Sequence, residues 1–185
     1  MRYNFAELFA GIAAALPQRD CIVFRDRRLS YHAVAARTNQ LANLLLSCGI
    51  GIHTDRTDLA PWESGQDHVA LYLHNGNEYL EGMLGAASAR AASFNVNYRY
   101  VEAELAYLLN DASTKAIIYH ARFAPVLGAV LDGLRERPKL LLQVADESGN
   151  ALLPGSSDYE AALAASSDAT PPTRPDPDDL YLVYT

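Results

Sequence analysis

After residue 67 the chain alternates four times between short apolar runs and segments of helical spacing, and this alternation constrains its fold most. The run "HVALYL" at 68–73 shows no polar alternation, which marks a strand buried on both faces. A helix carrying Tyr79, Leu80, Met83, Leu84 and Ala87 follows, with Asn75 as its expected cap. "ASFNV" at 92–96 is the next strand, followed by a helix with Leu105, Leu108 and Leu109. "KAIIYH" at 115–120 precedes a helix reaching about Leu134, and "KLLLQVA" at 139–145 precedes a short helix within 153–166. The apolar "LYLVYT" at 180–185 reads as the last strand. Such an order predicts an α/β fold, a mostly parallel sheet with right-handed crossovers and helices on both faces.

A helix and a β-hairpin are expected ahead of this sheet. Phe5, Leu8, Phe9, Ile12 and Leu16 fall at helical spacing, with Asn4 and Glu7 as a capping box and Pro17 as the stop. "CIVFRDRRLSY" supplies two short strands joined at Arg25 to Arg28. Ser30 caps a helix to Cys48, with Val34, Leu41, Leu44 and Leu45 on one face, and Gly49 stops it. Residues 51–66 are a polar surface loop holding Pro61, Gly65 and the only tryptophan, Trp62. Residues 168–179 form a proline-rich connector.

Composition removes some classes. A net charge of −7 argues against a nucleic-acid footprint, which needs clustered Lys and Arg. No apolar run is long enough for a transmembrane segment, and the amphipathic first helix is not a signal-peptide core, so a cytoplasmic location is expected. Cys21 and Cys48 sit among apolar neighbours and are expected to be reduced.

No complete catalytic motif is present. Gly49 and Gly51 begin a G-x-G pattern, but Thr54 breaks it and the pair follows a helix. There is no Walker loop, nucleophile elbow, H-E-x-x-H or C-x-x-C, so neither a catalytic nor a metal-binding residue is assigned. His32, His53, His68, His74 and His120 show no ligand-like spacing. His74 and His120 each follow a strand, near the edge where α/β proteins bind ligands, although boundary packing accounts for a single histidine there. Glu102 and Glu104 complement a helix dipole.

Longer stretches carry a resemblance. "FRDRRLSYHAVAARTNQLANLLLSCGIG", "DHVALYLHNGNEYLEGMLGAASARAASFNVNYRYVEAELAYLLNDASTKAIIY", "LPGSSDYEAALAAS" and "DPDDLYLVYT" resemble, in order, the N-terminal part of the adenylate-forming acyl-CoA synthetases. "FNVNYRYVEAEL" is similar to the actinobacterial lipid and sterol side-chain ligases. The resemblance implies that residues 1–185 belong to a larger N-terminal adenylation domain, with 51–66 an insertion where the family has a short turn. It implies a two-step reaction: a fatty or related carboxylic acid is adenylated by ATP, and coenzyme A then displaces AMP. It also implies that Thr185 matches the first hydroxyl of a glycine-rich phosphate loop, so that the chain stops at the start of that site. ATP, Mg2+ and coenzyme A would serve the parent enzyme, and none is expected to bind these residues alone. Apolar surface meant for the missing part would favour a homodimer.

Two other readings stand beside it. One is a freestanding binding module using "HNGNE" at 74–78 as an anion site, where helix capping is the simpler role. The other is an interaction domain with Trp62 at its contact surface.

Overall fold

The computed structural model describes residues 3–24 and 26–184. Helix α1 (Phe5–Ala15) comes first, and Asn4 caps it by accepting the Ala6 N–H at 2.8 Å. Strands β1 (Asp20–Phe24) and β2 (Arg27–Ser30) form the expected antiparallel hairpin, although Arg25 in its turn lies outside the described residues. Ser30 caps α2 (Tyr31–Ser47), and Gly49 leaves the helix with φ +65°, a conformation glycine takes without a Cβ clash.

The main sheet contains β3 (His68–Tyr72), β4 (Ala92–Asn95), β5 (Thr114–His120), β6 (Leu140–Val144) and β7 (Ser157–Asp158). All neighbours pair in parallel, in the order β4-β3-β5-β6-β7. Helices α3 (Asn77–Ser88), α4 (Glu102–Asp111), α5 (Ala124–Leu131) and α6 (Tyr159–Ala164) complete the crossovers. Alternation along β3 divides the core between the two faces. Val69 and Leu71 meet α2, α3 and α6, with Ile118 and Leu142 beside them. Ala70 and Tyr72 meet α4 and α5, with Ile117, Tyr119 and Leu141. Both faces are apolar because both are covered, which is why the strand showed no polar alternation.

On the first face, one ionic network ties the helices together. Glu81 in α3 is fully buried and accepts both Nε and Nη2 of Arg37 in α2, at 2.7 and 3.0 Å. Tyr159 and Asn77 each donate to it at 2.8 Å. Arg37 also reaches Glu160 at 2.7 Å. Burial opposes the charge on Arg37, but Glu160 and Glu81 overcome it and raise its pKa. Every oxygen of the buried carboxylate is thus matched, as a charge removed from water requires.

Several expectations need correction. The apolar run at the C-terminus does not form a strand: it contributes one parallel bridge, Phe94 to Leu182, while Val183 stands exposed. The two residues of β7 take the outer place in the sheet instead, too short to leave a periodic signal. Gly76, not Asn75, is the N-cap of α3. Helix α5 ends at Leu131, three residues short of the expected stop. Of the large side chains of α1, Phe9 packs on Tyr31 of α2, but Phe5, Leu8 and Ile12 do not face the core. Leu8 is 48% and Ile12 44% exposed, whereas Ala6 and Ala13 are buried. Small residues let α1 lie close to α2 and α3, and that contact decides its rotation.

Cys21 and Cys48 are both free, and partial burial raises the Cys21 thiol pKa. Among the described residues, no helix is long and apolar enough to cross a membrane.

Candidate functional site

The carboxyl ends of the parallel strands all open at one edge of the sheet, where doubly wound folds hold ligands. His74 leaves β3 there, Asn97 and Tyr98 follow β4, His120 ends β5 and Asp146 follows β6. Two adjoining hollows occupy this edge. The first, about 720 Å³, lies between His74, His120, Arg122, Asp146 and Arg27 of the hairpin. The second, about 730 Å³, lies between His74, Tyr79, Asn95, Asn97, Tyr98 and Tyr184. His74 belongs to both.

Adjacency of β3 and β5 brings the two histidines together. Their rings lie 5.8 Å apart, and His120 Nδ1 accepts the backbone N–H of His74 at 3.0 Å. That bond requires Nδ1 to be unprotonated, so neutral His120 carries its proton on Nε2. Burial lowers the His120 pKa, partly opposed by Asp146 and reinforced by His74 and Arg122. The His74 ring packs against Tyr98 at 4.7 Å and Phe123 at 5.1 Å. Asp146 accepts the Arg122 N–H at 2.9 Å and the Ser148 N–H at 2.8 Å. Burial works against its charge, but Ser148 and Arg122 hold its pKa below the usual carboxylate value. Along the second hollow, burial pushes the Tyr79 hydroxyl up to about 12, with the Tyr181 hydroxyl adding to it. Burial and Asp111 do the same for Tyr184, also to about 12. These phenols are neutral at physiological pH.

The edge therefore offers aromatic faces, amides, an imidazole pair, two arginines and a carboxylate, which suit binding. Among the described residues it offers no nucleophile with an adjacent base, and no group of three His, Cys, Asp or Glu side chains able to hold a metal. Thr185, the residue marked from sequence as cofactor-binding, lies outside the described residues. Its neighbour Tyr184 lines the second hollow. Within the "HNGNE" segment, which lines the first hollow, the Asn77 side chain is used internally: it accepts from Arg27 at 2.9 Å and donates to Glu81. Glu104, expected only to complement the helix dipole, also accepts the Val101 N–H at 3.1 Å and so caps the helix. The loop at 51–66 is closed by an Ile52–Gln66 bridge and by Arg56, which donates to the carbonyls of Ala60, Pro61 and Glu63. Trp62 stands 85% exposed on it. His53 Nε2 lies 2.6 Å from the buried Asp67 carboxylate, and His68 Nε2 lies 2.8 Å from Ser64 Oγ. Histidines thus fasten the loop as well as line the edge.

The family model described as "AMP-binding enzyme" matches residues 9–185. The chain belongs to the AMP-binding enzyme family. It is 53% identical over 175 residues to the medium-chain acyl-CoA ligase Mig of Mycobacterium avium, covering 95% of this chain and 32% of that protein. It is 31% identical to the 3-oxocholest-4-en-26-oate–CoA ligase of Rhodococcus rhodochrous, covering 100% of this chain and 31% of that protein. The chain thus spans about a third of the length of these AMP-binding relatives. Among solved structures, an anthranilate CoA ligase in complex with anthranoyl-AMP shares the fold. Its TM-score is 0.80 at 16% identity, over 96% of this chain and 31% of that one. The N-terminal domain of FACL13 from Mycobacterium tuberculosis gives 0.76 at 24% identity, over 99% and 42%. The α/β fold, a parallel sheet flanked by helices, is thus shared with both structures.

Proposed function

We propose that these residues form the N-terminal part of an ATP-dependent acid–CoA ligase. In this reading a carboxylate attacks the α-phosphate of ATP, forming an acyl-adenylate and releasing pyrophosphate. The thiol of coenzyme A then displaces AMP to give the thioester. The 53% identity to a medium-chain acyl-CoA ligase carries the reading and favours a medium-chain fatty acid over a sterol side-chain acid. Thr185 is the first hydroxyl of the phosphate loop, entered from the segment that ends at Tyr184 beside the second hollow. The crevice residues bind and exclude water from one side of the site. No described residue is assigned to Mg2+, because none of their groupings fits a metal. The enzyme works in the cytoplasm on a free acid and coenzyme A, not on nucleic acid.

One hydroxyl contributes on the order of 1 kcal/mol to binding, far below a useful affinity for ATP. The 185 residues alone should therefore turn nothing over. The complete gene product should release pyrophosphate only when given both ATP and a medium-chain acid, and should form the thioester with coenzyme A. Turnover by the 185 residues alone would overturn the assignment of the active centre. Failure of the complete product with medium-chain, long-chain and sterol side-chain acids would overturn the ligase reading.

A further inference from the structure

The segment leading to Tyr184 meets the sheet through one bridge, yet its amino end is strongly fastened. Arg90 closes the turn between α3 and β4 with φ +57°, a left-handed backbone seldom taken by a residue with a Cβ. Its guanidinium sits on Asp179, with Nε 3.1 Å from both carboxylate oxygens and Nη2 2.9 Å from Oδ1. Gln66 ties the same two strands of chain: its Nε2 donates to the Arg90 carbonyl at 2.9 Å, and its Oε1 accepts the Leu180 N–H at 2.7 Å. The Asp179 side chain is only 6% exposed. Leu182 then donates to the Ser93 carbonyl at 3.0 Å.

A single bridge specifies register weakly. A slip of two residues would move the segment about 7 Å along the sheet, and a slip of one would turn its side chains to the wrong face. The fastening at Asp179 and Leu180 prevents both. An unfavourable backbone kept at a residue whose side chain makes a two-pronged ion pair points to a role for that side chain.

We propose that Arg90, supported by Gln66, is a positioning residue. It latches Asp179 at the amino edge of the sheet, sets the register of 180–184, and so sets the depth at which Thr185 meets the triphosphate of ATP at the opposite edge. The last step rests on the ligase reading above.

Arg90→Gly isolates the latch, because glycine accepts the same φ without strain. Hydrogen exchange on the 185-residue chain reads the register directly. The Leu182 amide should exchange about tenfold faster in Arg90→Gly, while the amides of β5 stay as they were. Unchanged exchange at Leu182 overturns the latch. In the complete gene product, Arg90→Gly should raise KM for ATP about tenfold with much less change in kcat, and Arg90→Lys should restore part of it. A general loss of folded protein with an unchanged KM for ATP also overturns the positioning role. Should the wild-type product turn over no acid while the exchange difference persists, the ligase reading falls, and with it the ATP step, but the latch on the strand stands.

Discussion

Protonating His120 would cost the crevice a hydrogen bond, because its Nδ1 accepts from the His74 backbone at 3.0 Å. Burial lowers its pKa, so the folded protein resists a proton that the unfolded chain accepts near the ordinary histidine value of about 6.5. The sign follows: this contribution to stability is complete above about pH 6.5 and is lost as pH falls from there toward the lowered pKa. His120→Asn keeps an acceptor close to the Nδ1 position and removes the titration. Melting temperatures measured at about pH 7.5 and about pH 5.5 should therefore fall further for the wild type than for His120→Asn. Equal falls would show that His120 does not titrate against folding. Sequence placed His74 and His120 each at a strand end, but not together. Their meeting depends on β3 and β5 being neighbours with a crossover between, a property of topology that no local spacing carries. The Arg90–Asp179 contact was hidden for the same reason, and further because arginine gives no warning of a positive φ.

Helices α2 and α3 approach closely at Gly85, where an added Cβ would lie 2.7 Å from Leu41 Cδ2 and 2.8 Å from its Cγ. Gly11 in α1 is the opposite case, since an added Cβ there would meet nothing within 4 Å. Both are glycines inside helices, where alanine is favoured by about 1 kcal/mol on propensity. Packing should decide between them. Gly85→Ala should destabilise by about 1–3 kcal/mol despite its propensity gain, and Gly11→Ala should stabilise by up to about 1 kcal/mol. Urea unfolding of the two variants checks this, and stabilisation by Gly85→Ala would show that α2 and α3 can separate at little cost. Elements with long periodic signals were legible from sequence: the core strands, α2, and the helices between strands. Misreadings fell where tertiary contact overrode local pattern. In α1 the eye follows Leu8 and Ile12, but the alanines make the closest approach. In 180–184 the apolar run promised a strand, and among the described residues only Leu182 makes a bridge to the sheet.

Among the apolar side chains left exposed, two groups bear on association. On α1, Phe5, Leu8, Ile12 and Leu16 form an exposed stripe, and Glu7 is the only charged residue of the helix. Past β4, Val183 and Tyr184 are exposed on a segment that joins the sheet through one bridge. An apolar stripe without Lys or Arg is poorly suited to an anionic membrane surface, which recruits helices through basic residues. A second copy of the same stripe is a better match, since an isologous contact places like apolar residues together without opposing charges. The 185-residue chain should accordingly be monomeric when dilute and dimeric at hundreds of micromolar, read by sedimentation equilibrium. Leu8→Glu with Ile12→Glu should return it to monomer without unfolding it, because both side chains are about half exposed and make little of the core. If the double variant still dimerises, the contact lies away from α1, first of all at the 180–184 segment, whose backbone makes one bridge and can pair with another chain. A wild-type monomer across the whole range would mean that neither surface drives association.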